Sequence, residues 1–500
     1  MTTGTEPRTG RGTRTGLVDL AVAHGRIHSD GWRPPAAGGT ADTLEPATGQ
    51  VLATVGVATP EDVGRAVTEA AAAQPAWAAT APTERAAVLR RAALALEEHT
   101  AEVVEWLVRE GGAIRPKAQH EVGSVLDELW AAAALPTQPY GELLPDTPGR
   151  HSVARRLPLG VVGVISPWNF PLLLAVRALA PALALGNAVV LKPDLNTPVS
   201  GGHVIAALFE RAGLPAGLLH VLPGDAAPGQ ALTGHPDVAM IAFTGSTAVG
   251  REVGSLAGGT LKRVSLELGG NNAYIVLDDA DLDVAASAGA WGAFFHQGQV
   301  CMTAGRHIVL AAVADAYVDR LAQHADKLEV GDPWTAEPAL GPLINDAQLR
   351  RVTGIVRDTV AAGARLRAGG TAEGRFHRPT VLSGVTPGMP AFTEEIFGPV
   401  APVVVVADEA EAVAVANRTA YGLVAAVQTG SAERGLALAE RLATGIVHIN
   451  DQTIDDNAFV PFGGRGASGN GSRHGARQSW EEFTQWQWLT VRTTALASPF

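Results

Sequence analysis

The stretch that decides the fold is VVGVISPWNFPLLLAVRALAPALALGNAVVLK, residues 161–192. Its first five residues form an apolar run rich in β-branched side chains, which is typical of a buried parallel strand. Pro171 opens the apolar segment that follows and favours a helix there, because proline is well tolerated at the first helical position. A second β-branched run, residues 188–191, then ends at Lys192. This order of strand, helix and strand predicts a βαβ unit and a parallel sheet.

The same alternation continues along the chain. Ala-rich helical periodicity fills residues 61–134, ahead of the βαβ unit. Further strands are predicted at 218–222, 240–243, 274–277, 306–310 and 400–406, and further helices at 282–295, 315–328 and 410–416. The fold class is therefore predicted to be α/β, with two doubly wound α/β domains. Ligands of such sheets bind beyond the carboxyl ends of the strands.

Composition excludes several classes of protein. A chain of 500 residues is longer than one core usually organises, and 46% apolar with 18% charged residues indicates a well-buried globular protein. The net charge of −12 is spread without acidic or basic blocks, so no nucleic-acid partner is expected. The most apolar stretch, residues 172–191, is broken by Arg177, Pro181 and Gly186, so no membrane span is predicted.

The single cysteine and the amino terminus indicate the compartment. One cysteine in the chain excludes an internal disulfide and is compatible with a reducing, cytoplasmic location. Residues 1–16 are rich in Thr, Gly and Arg and lack an apolar core, so we expect a disordered tail and not a secretory signal. His24 and His28 are closely spaced but have no acid cluster nearby, and no metal site is expected.

Three separated stretches carry chemistry. Cys301 ends the sequence Gly-Gln-Val-Cys; by itself it is also consistent with a small buried core residue. Glu267 lies between two leucines and before two glycines, so its pKa is expected to be raised and it can act as a base near neutrality. Asn169 lies at a strand-to-helix corner, where its amide is suited to stabilise an oxyanion. A thiol, a carboxylate and an amide donor can together attack a carbonyl and later activate water.

These stretches, in this order and with thirty-four positions from Glu267 to Cys301, resemble the aldehyde dehydrogenase superfamily. The resemblance implies a dinucleotide-binding domain of residues 17–137 and 157–265 and a catalytic domain of residues 266–465. It also implies a small β oligomerisation hairpin from residues 138–156 and 480–500. Oxidation of an aldehyde with NAD or NADP, by a homodimer or homotetramer, is then expected.

The alternating segment 486–492 has two interpretations. It could add to the hairpin of a partner subunit, or it could be an ordinary edge strand of its own chain.

The cofactor-binding residues are expected from the same resemblance. Gly245 and Ser246 follow a strand and begin a helix, where free N–H groups favour a pyrophosphate, although ordinary capped helices look the same. Glu395 would hold ribose hydroxyls and Phe397 would pack on the nicotinamide, although the bare stretch 392–399 also fits a charged turn. Further positions of the family's cofactor site match Ser166, Pro167, Trp168, Lys192 and Leu268.

The choice of coenzyme is left open by Lys192 and its neighbours. Lys192 is one of four lysines, and it matches the family's contact to the adenosine ribose. NAD-selective relatives carry a glutamate three positions later, where this chain has Leu195, so NADP is also possible. A literal G-x-G-x-x-G at residues 464–469 follows no strand and is interpreted as an active-site loop, not as a dinucleotide fingerprint.

The resemblance also implies a mechanism and a substrate. Cys301 would attack as a thiolate, Asn169 and the Cys301 N–H would hold the oxyanion, and Glu267 would hydrolyse the thioester. Relatives that acylate coenzyme A lack that glutamate. Residues 445–453 and 480–484 resemble the branch that oxidises aromatic aldehydes such as benzaldehyde, and a flat pocket is expected from the aromatic side chains Trp168, Phe295 and Phe459.

Three alternatives remain. The first is a dehydrogenase for another aldehyde, either vanillin-like, salicylaldehyde-like or aliphatic. The second is a coenzyme A acylating enzyme, which the presence of Glu267 disfavours. The third is a catalytically silent structural protein on the same fold, for which loss of Cys301 or Glu267 would be expected.

Overall fold

The computed structural model describes residues 16–497 and Phe500. The predicted disordered tail, residues 1–16, lies outside the described residues apart from Gly16. In chain order, the strands of the described part are β1 (Ile27–His28), β2 (Trp32–Arg33), β3 (Thr40–Leu44), β4 (Val51–Gly56), β5 (Gly141–Leu144), β6 (Arg150–Pro158), β7 (Val161–Ile165), β8 (Ala188–Lys192), β9 (Leu219–Val221), β10 (Val238–Gly245), β11 (Arg263–Leu268), β12 (Ala273–Val276), β13 (Arg306–Leu310), β14 (Arg365–Ala368), β15 (Ala372–Glu373), β16 (Phe376–His377), β17 (Thr380–Ser383), β18 (Val400–Val406), β19 (Val424–Gln428), β20 (Ile446–Ile449) and β21 (Thr484–Arg492).

The α-helices alternate with these strands. In the same part of the chain they are α1 (Leu20–Ala23), α2 (Pro60–Ala79), α3 (Pro82–Glu98), α4 (Thr100–Gly111), α5 (Arg115–Ala134), α6 (Pro171–Ala184), α7 (Val204–Arg211), α8 (Ala226–Gly234), α9 (Thr247–Gly259), α10 (Leu282–Phe294), α11 (Ala314–Lys327), α12 (Asp346–Ala361), α13 (Pro390–Thr393), α14 (Glu409–Ala416), α15 (Ala432–Ala439) and α16 (Ala476–Glu482). Short 3-10 turns cover Leu135–Thr137, Phe295–Gly298 and Gly466–Ser468, and a π-helical turn covers Val199–His203. Within the described residues, no helix is both long and apolar enough to cross a membrane.

The first large sheet has the strand order β11-β10-β7-β8-β9-β1-β2. The strands from β11 to β9 are parallel, and β1 and β2 add antiparallel at one edge. The register pairs Ile165 with Phe243 and Thr244 with Glu267, so the carboxyl ends of β7, β10 and β11 lie at one edge. This edge is where a doubly wound sheet binds its ligand.

The second large sheet has the order β14-β17-β18-β13-β12-β19-β20, and only β14 in it pairs antiparallel among the described strands. The prediction of two α/β domains is therefore confirmed. The first sheet continues through β11 to Leu268, beyond the domain boundary expected at residue 265. Phe462 and Phe483 also return to pack in the core of the first domain.

The third sheet has the order β21-β6-β5. β21 pairs antiparallel with β6 of its own chain from Thr484 opposite Pro158 to Arg492 opposite Arg150. The segment therefore forms an edge strand paired within its own chain. The sheet carries exposed apolar side chains, among them Leu143 at 84% and Trp488 at 66% exposure.

Candidate active site

Cys301 lies in the loop that follows the 3-10 turn after α10. His296 and Gln297 adopt left-handed backbone conformations in this turn, with φ of 49° and 57°. Gly298 is also left-handed, and a Cβ atom there would lie 2.1 Å from the Gly398 carbonyl oxygen, so only glycine fits. The thiol is free, partly exposed and lines two cavities. It is therefore not enclosed in core packing.

Asn169 lies at the corner between β7 and α6, as predicted. Its side chain is buried, and Nδ2 donates a hydrogen bond of 2.9 Å to the Gln299 carbonyl oxygen. This bond ties the corner to the loop that carries Cys301. A carboxamide nitrogen has two hydrogens, so the second remains for a ligand. Asn169 lines the same two cavities as Cys301.

Glu267 lies near the end of β11 and is 5% exposed. Within the described residues, neither carboxylate oxygen has a hydrogen-bond partner. Burial raises the pKa of the Glu267 carboxyl well above its usual range, and the positive charges of Arg473 and Arg177 oppose that shift. An acid with a raised pKa facing the same cavity as a thiol has the properties of a general base.

The electrostatic environment of Cys301 disfavours the charged form of its side chain. Burial raises the pKa of the thiol to about 12, with further contributions from the negative charges of Glu395, Asp456 and Glu267. A pKa raised in this way favours the neutral thiol at pH 7. A thiolate must be generated by proton loss to a base or by a positive charge brought into the site.

The smaller cavity has a volume of about 470 Å³ and contains most of the predicted cofactor residues. The predicted residues that line it are Pro167, Trp168, Gly245, Ser246, Leu268, Glu395 and Phe397, together with Cys301, Asn169 and Glu267. Trp168 and Phe397 meet edge to face at 5.5 Å between ring centroids. Glu395 accepts a hydrogen bond of 3.0 Å from the Gly270 N–H, and burial raises the pKa of its carboxyl to about 7.

The lining of this cavity suits a dinucleotide. Ser246 caps α9 and lines the cavity together with Thr247 and Ala248 of the first turn, and such a helix start favours a pyrophosphate. At Gly269 a Cβ atom would lie 2.1 Å from Glu395 Oε2, so glycine is needed for the close approach of the carboxylate. The Glu395 carboxylate is then available for hydroxyl groups of a ribose.

Lys192 and Ser166 lie outside the set of residues that line this cavity. Lys192 Nζ donates a hydrogen bond of 2.8 Å to the Gly224 carbonyl oxygen, at the entrance to α8. The Ser166 hydroxyl is buried with no partner in the described part of the chain. Beside Leu195, the Asp194 carboxylate is occupied by hydrogen bonds from Asn196.

The larger cavity, of about 820 Å³, lies on the other side of Cys301 and Asn169. Trp291 and Phe295 stack in its wall with ring centroids 4.7 Å apart. Of the three aromatic residues expected here, only Phe295 lines this cavity. Trp168 lines the smaller cavity, which also contains Cys301, whereas Phe459 is 63% exposed and lines a separate cavity, so the expectation for Phe459 is wrong.

Sequence reasoning missed several residues of this wall. Phe170, Trp291 and Phe462 contribute rings to it, and Arg177 contributes a buried cation. Arg177 pairs with Glu128 at 2.9 Å and with Asp456 at 2.6 Å. Trp291 and Phe295 are four residues apart at the end of a predicted helix, and this spacing alone would have indicated that their rings lie next to each other.

The chain belongs to the aldehyde dehydrogenase family, because the family described as "Aldehyde dehydrogenase family" matches residues 32–489. The predicted resemblance is thereby confirmed, and the protein is an aldehyde dehydrogenase.

Its relatives include a vanillin dehydrogenase of Amycolatopsis sp., 54% identical, which aligns over 95% of this chain and 98% of its own. A benzaldehyde dehydrogenase [NAD(+)] of Pseudomonas putida is 51% identical over 96% of this chain and 98% of its own.

Among solved structures, an NADP-dependent enzyme of E. coli superposes with a TM-score of 0.91 and 34% identity, over 95% of this chain and 99% of its own. Betaine aldehyde dehydrogenase of Staphylococcus aureus in complex with NAD+ superposes with a TM-score of 0.93 and 29% identity, over 96% of this chain and 97% of its own.

Proposed function

We propose that the protein oxidises an aromatic aldehyde, such as benzaldehyde, to its carboxylic acid with NAD or NADP. The observation that carries this proposal is that Cys301 and Asn169 line both cavities. A carbonyl carbon that enters from the larger cavity then meets the sulfur at the boundary with the smaller one. The benzaldehyde and vanillin dehydrogenases among the relatives support an aromatic substrate.

The reaction begins when the Cys301 thiol loses its proton to solvent water, and the resulting thiolate attacks the aldehyde carbon while the carbonyl oxygen becomes an alkoxide. The free Asn169 Nδ2–H and the Cys301 backbone N–H donate to that oxygen. When bound, the oxidised nicotinamide supplies the acceptor for the hydride that leaves this carbon, so that Cys301 is left carrying a thioester. Glu267 then takes a proton from water as its oxygen attacks the thioester. Collapse of the adduct releases the Cys301 sulfur and the carboxylic acid.

The cofactor is assigned to the smaller cavity. Gly245 and Ser246 would hold the pyrophosphate, Glu395 the ribose hydroxyls, and Phe397 the nicotinamide ring. Lys192 and Ser166 would serve the adenosine end, near the entrance to α8. In this assignment residues 17–137 and 157–265 bind the dinucleotide, and residues 266–465 supply the thiol.

NAD and NADP are both compatible with the chain. Position 195 carries leucine in place of an acid that would repel a 2′-phosphate, and the Asp194 carboxylate is engaged by Asn196.

A hydroxylated aromatic aldehyde such as vanillin is the second candidate substrate. The wall of the larger cavity combines the stacked Trp291 and Phe295 rings with polar groups from His120, Gln452 and Asp456. Such a wall suits a ring that carries hydrogen-bonding substituents.

Turnover with benzaldehyde, vanillin, salicylaldehyde and hexanal, each with NAD and with NADP, tests the proposal. We expect kcat/KM for at least one aromatic aldehyde to exceed that for hexanal by about tenfold or more, since flat rings fill the stacked wall. Preference for hexanal, or no reduced cofactor with any of the four, would contradict it.

The protein is further proposed to act in the cytoplasm as a homodimer or homotetramer. A single cysteine supports a reducing compartment. Exposed Leu143, Trp486 and Trp488 on the three-stranded sheet support contact with a second copy. Light scattering on the purified protein distinguishes monomer, dimer and tetramer, and a monomer at micromolar concentration would contradict the assembly.

A further inference from the structure

A buried ion pair lies directly behind Asn169. Lys117 and Glu121 are one turn apart on α5, and both side chains are almost fully buried. Lys117 Nζ donates to Glu121 Oε2 at 2.5 Å and to the Asn169 backbone carbonyl oxygen at 2.8 Å. It also lies 3.9 Å from the centroid of the Phe170 ring. Two of the three ammonium hydrogens are thus donated in hydrogen bonds, and the positive charge lies over an aromatic ring.

Glu121 holds the next residues of the same corner. Its Oε1 accepts hydrogen bonds from the Leu172 and Leu173 N–H groups, at 3.0 and 3.2 Å. These groups belong to the first turn of α6, where Phe170 provides no side-chain cap and Pro171 has no N–H. The carboxylate on α5 thus takes the place of a local helix cap and fixes the start of α6.

We propose that Lys117 and Glu121 are positioning residues that set the Asn169 amide for the oxyanion. This inference rests on the proposed function, in which Asn169 stabilises the alkoxide. Lys117 fixes the Asn169 main chain from one side, and the Gln299 carbonyl fixes its side chain from the other. With both ends held, the remaining Nδ2 hydrogen has one direction available to it, which is the preorganisation that oxyanion stabilisation requires.

The alternative is a purely structural role. Pairs of opposite charge in a core also stabilise a fold by satisfying each other, and removal of one partner leaves a buried charge. The two roles differ in one respect. A positioning residue loses its effect when the group that it positions is absent, whereas a structural residue does not.

The experiment is a double-mutant cycle of Lys117→Met with Asn169→Ala, measured as kcat and KM on the full-length enzyme with benzaldehyde and the preferred cofactor. We expect Asn169→Ala to lower kcat by about 10²- to 10³-fold, as for other oxyanion donors. Lys117→Met should lower kcat by about 10- to 100-fold and change the aldehyde KM by less than about threefold, because a misplaced donor weakens the transition state more than substrate binding. In the Asn169→Ala background, Lys117→Met should change kcat by less than about twofold.

Arg85→Met is the matched control. Arg85 also donates from a cationic side chain to main-chain carbonyl groups, including that of Ala184 at the opposite end of α6. Arg85 lines neither of the two cavities that meet at Cys301. Loss of this cation should lower Tm while kcat stays within about twofold of the parent enzyme. If Lys117→Met does not fold, Glu121→Gln, which keeps the side-chain volume, enters the same cycle.

The outcomes separate the two proposals. Losses in kcat that multiply in the double variant, or a Lys117→Met enzyme with unchanged kcat, overturn the positioning role while the oxyanion role of Asn169 stands. An Asn169→Ala enzyme with unchanged kcat instead overturns the proposed function of Asn169, and with it the role of the pair.

Discussion

The two cavities that meet at Cys301 are built from different parts of the chain. The smaller one is bounded by strand ends, the start of α9 and Gly269, and by the side chains of Trp168, Glu395 and Phe397. The larger one is bounded by side chains from the faces of α5, α6 and α10 and from the loop before Phe462. The smaller cavity thus combines backbone at strand ends and a helix start with a few side chains, whereas the wall of the larger cavity depends on side-chain identity.

This difference predicts which of the two ligands, cofactor or aldehyde, each substitution should affect. A ligand held by helix N–H groups and close backbone is insensitive to most side-chain changes on the opposite side. A ligand held by stacked rings depends on each ring. Cys301, Asn169, Leu174 and Phe462 line both cavities, so changes among them should affect both ligands or the reaction between them.

The largest effect is expected for Cys301→Ala, at the boundary between the two cavities. We expect kcat for aldehyde oxidation to fall by about 10⁴-fold or more, because the nucleophile is lost. The cofactor Kd, followed by quenching of tryptophan fluorescence, should stay within about twofold, since the groups assigned to cofactor binding in the smaller cavity are unchanged. A residual kcat within tenfold of the parent would show that another group performs the attack.

Next in size is Glu267→Gln, on the smaller side. Loss of the base should lower the steady-state kcat by about a thousandfold. A single rapid burst of reduced cofactor should remain, because the amide can still permit acylation of Cys301. Stopped-flow absorbance measures the burst, and its absence would assign Glu267 a role before the thioester.

The third-largest effect is expected in the pH dependence of the alkylation rate of the Cys301 thiol. Since burial and neighbouring carboxylates raise the pKa of Cys301 to about 12, the neutral thiol predominates at lower pH, and its reactivity must rise as pH rises. Alkylation by iodoacetamide in the absence of cofactor should accelerate about tenfold per pH unit, or about a hundredfold from pH 7 to 9. Cys301→Ala gives the background rate. A plateau below pH 8 would mean that a thiolate exists before the cofactor binds.

The smallest effect is expected in the larger cavity, on kcat/KM for the aldehyde. Phe295→Ala removes one ring of the stacked pair, and kcat/KM for benzaldehyde should fall by about tenfold, as expected for about 1.5 kcal/mol of lost apolar and stacking contact. The cofactor KM should not change. Phe459→Ala is the control, since Phe459 lines a different cavity, and equal losses in the two variants would contradict the assignment of the larger cavity to the substrate.

The same contrast explains what could be predicted from sequence. Strands β7 and β12 are continuous apolar runs between turn residues, and their fully buried sheet positions follow from that pattern. Most cofactor-side residues directly follow such strands, so topology alone brings Trp168, Gly245 and Leu268 together.

The substrate side and the Lys117–Glu121 pair could not be found in this way. Lys117 and Arg177 lie within helices, where sequence periodicity shows which face is apolar but not which neighbour that face meets. Their partners, the Asn169 carbonyl and Asp456, are 52 or more residues away in the chain. The raised pKa of the Cys301 thiol likewise arises from burial, and from carboxylates that only the folded chain brings near it.

The central claim is that the aldehyde carbon becomes bonded to Cys301 with a dinucleotide bound alongside. It is tested most directly in the Glu267→Gln enzyme, mixed with benzaldehyde and oxidised cofactor, quenched within one turnover and digested for peptide mass spectrometry. We predict a benzoyl group on the peptide that contains Cys301, close to one per active site, and none when the cofactor is omitted. Reduced cofactor without acylated Cys301, or the acyl group on another residue, would contradict the account.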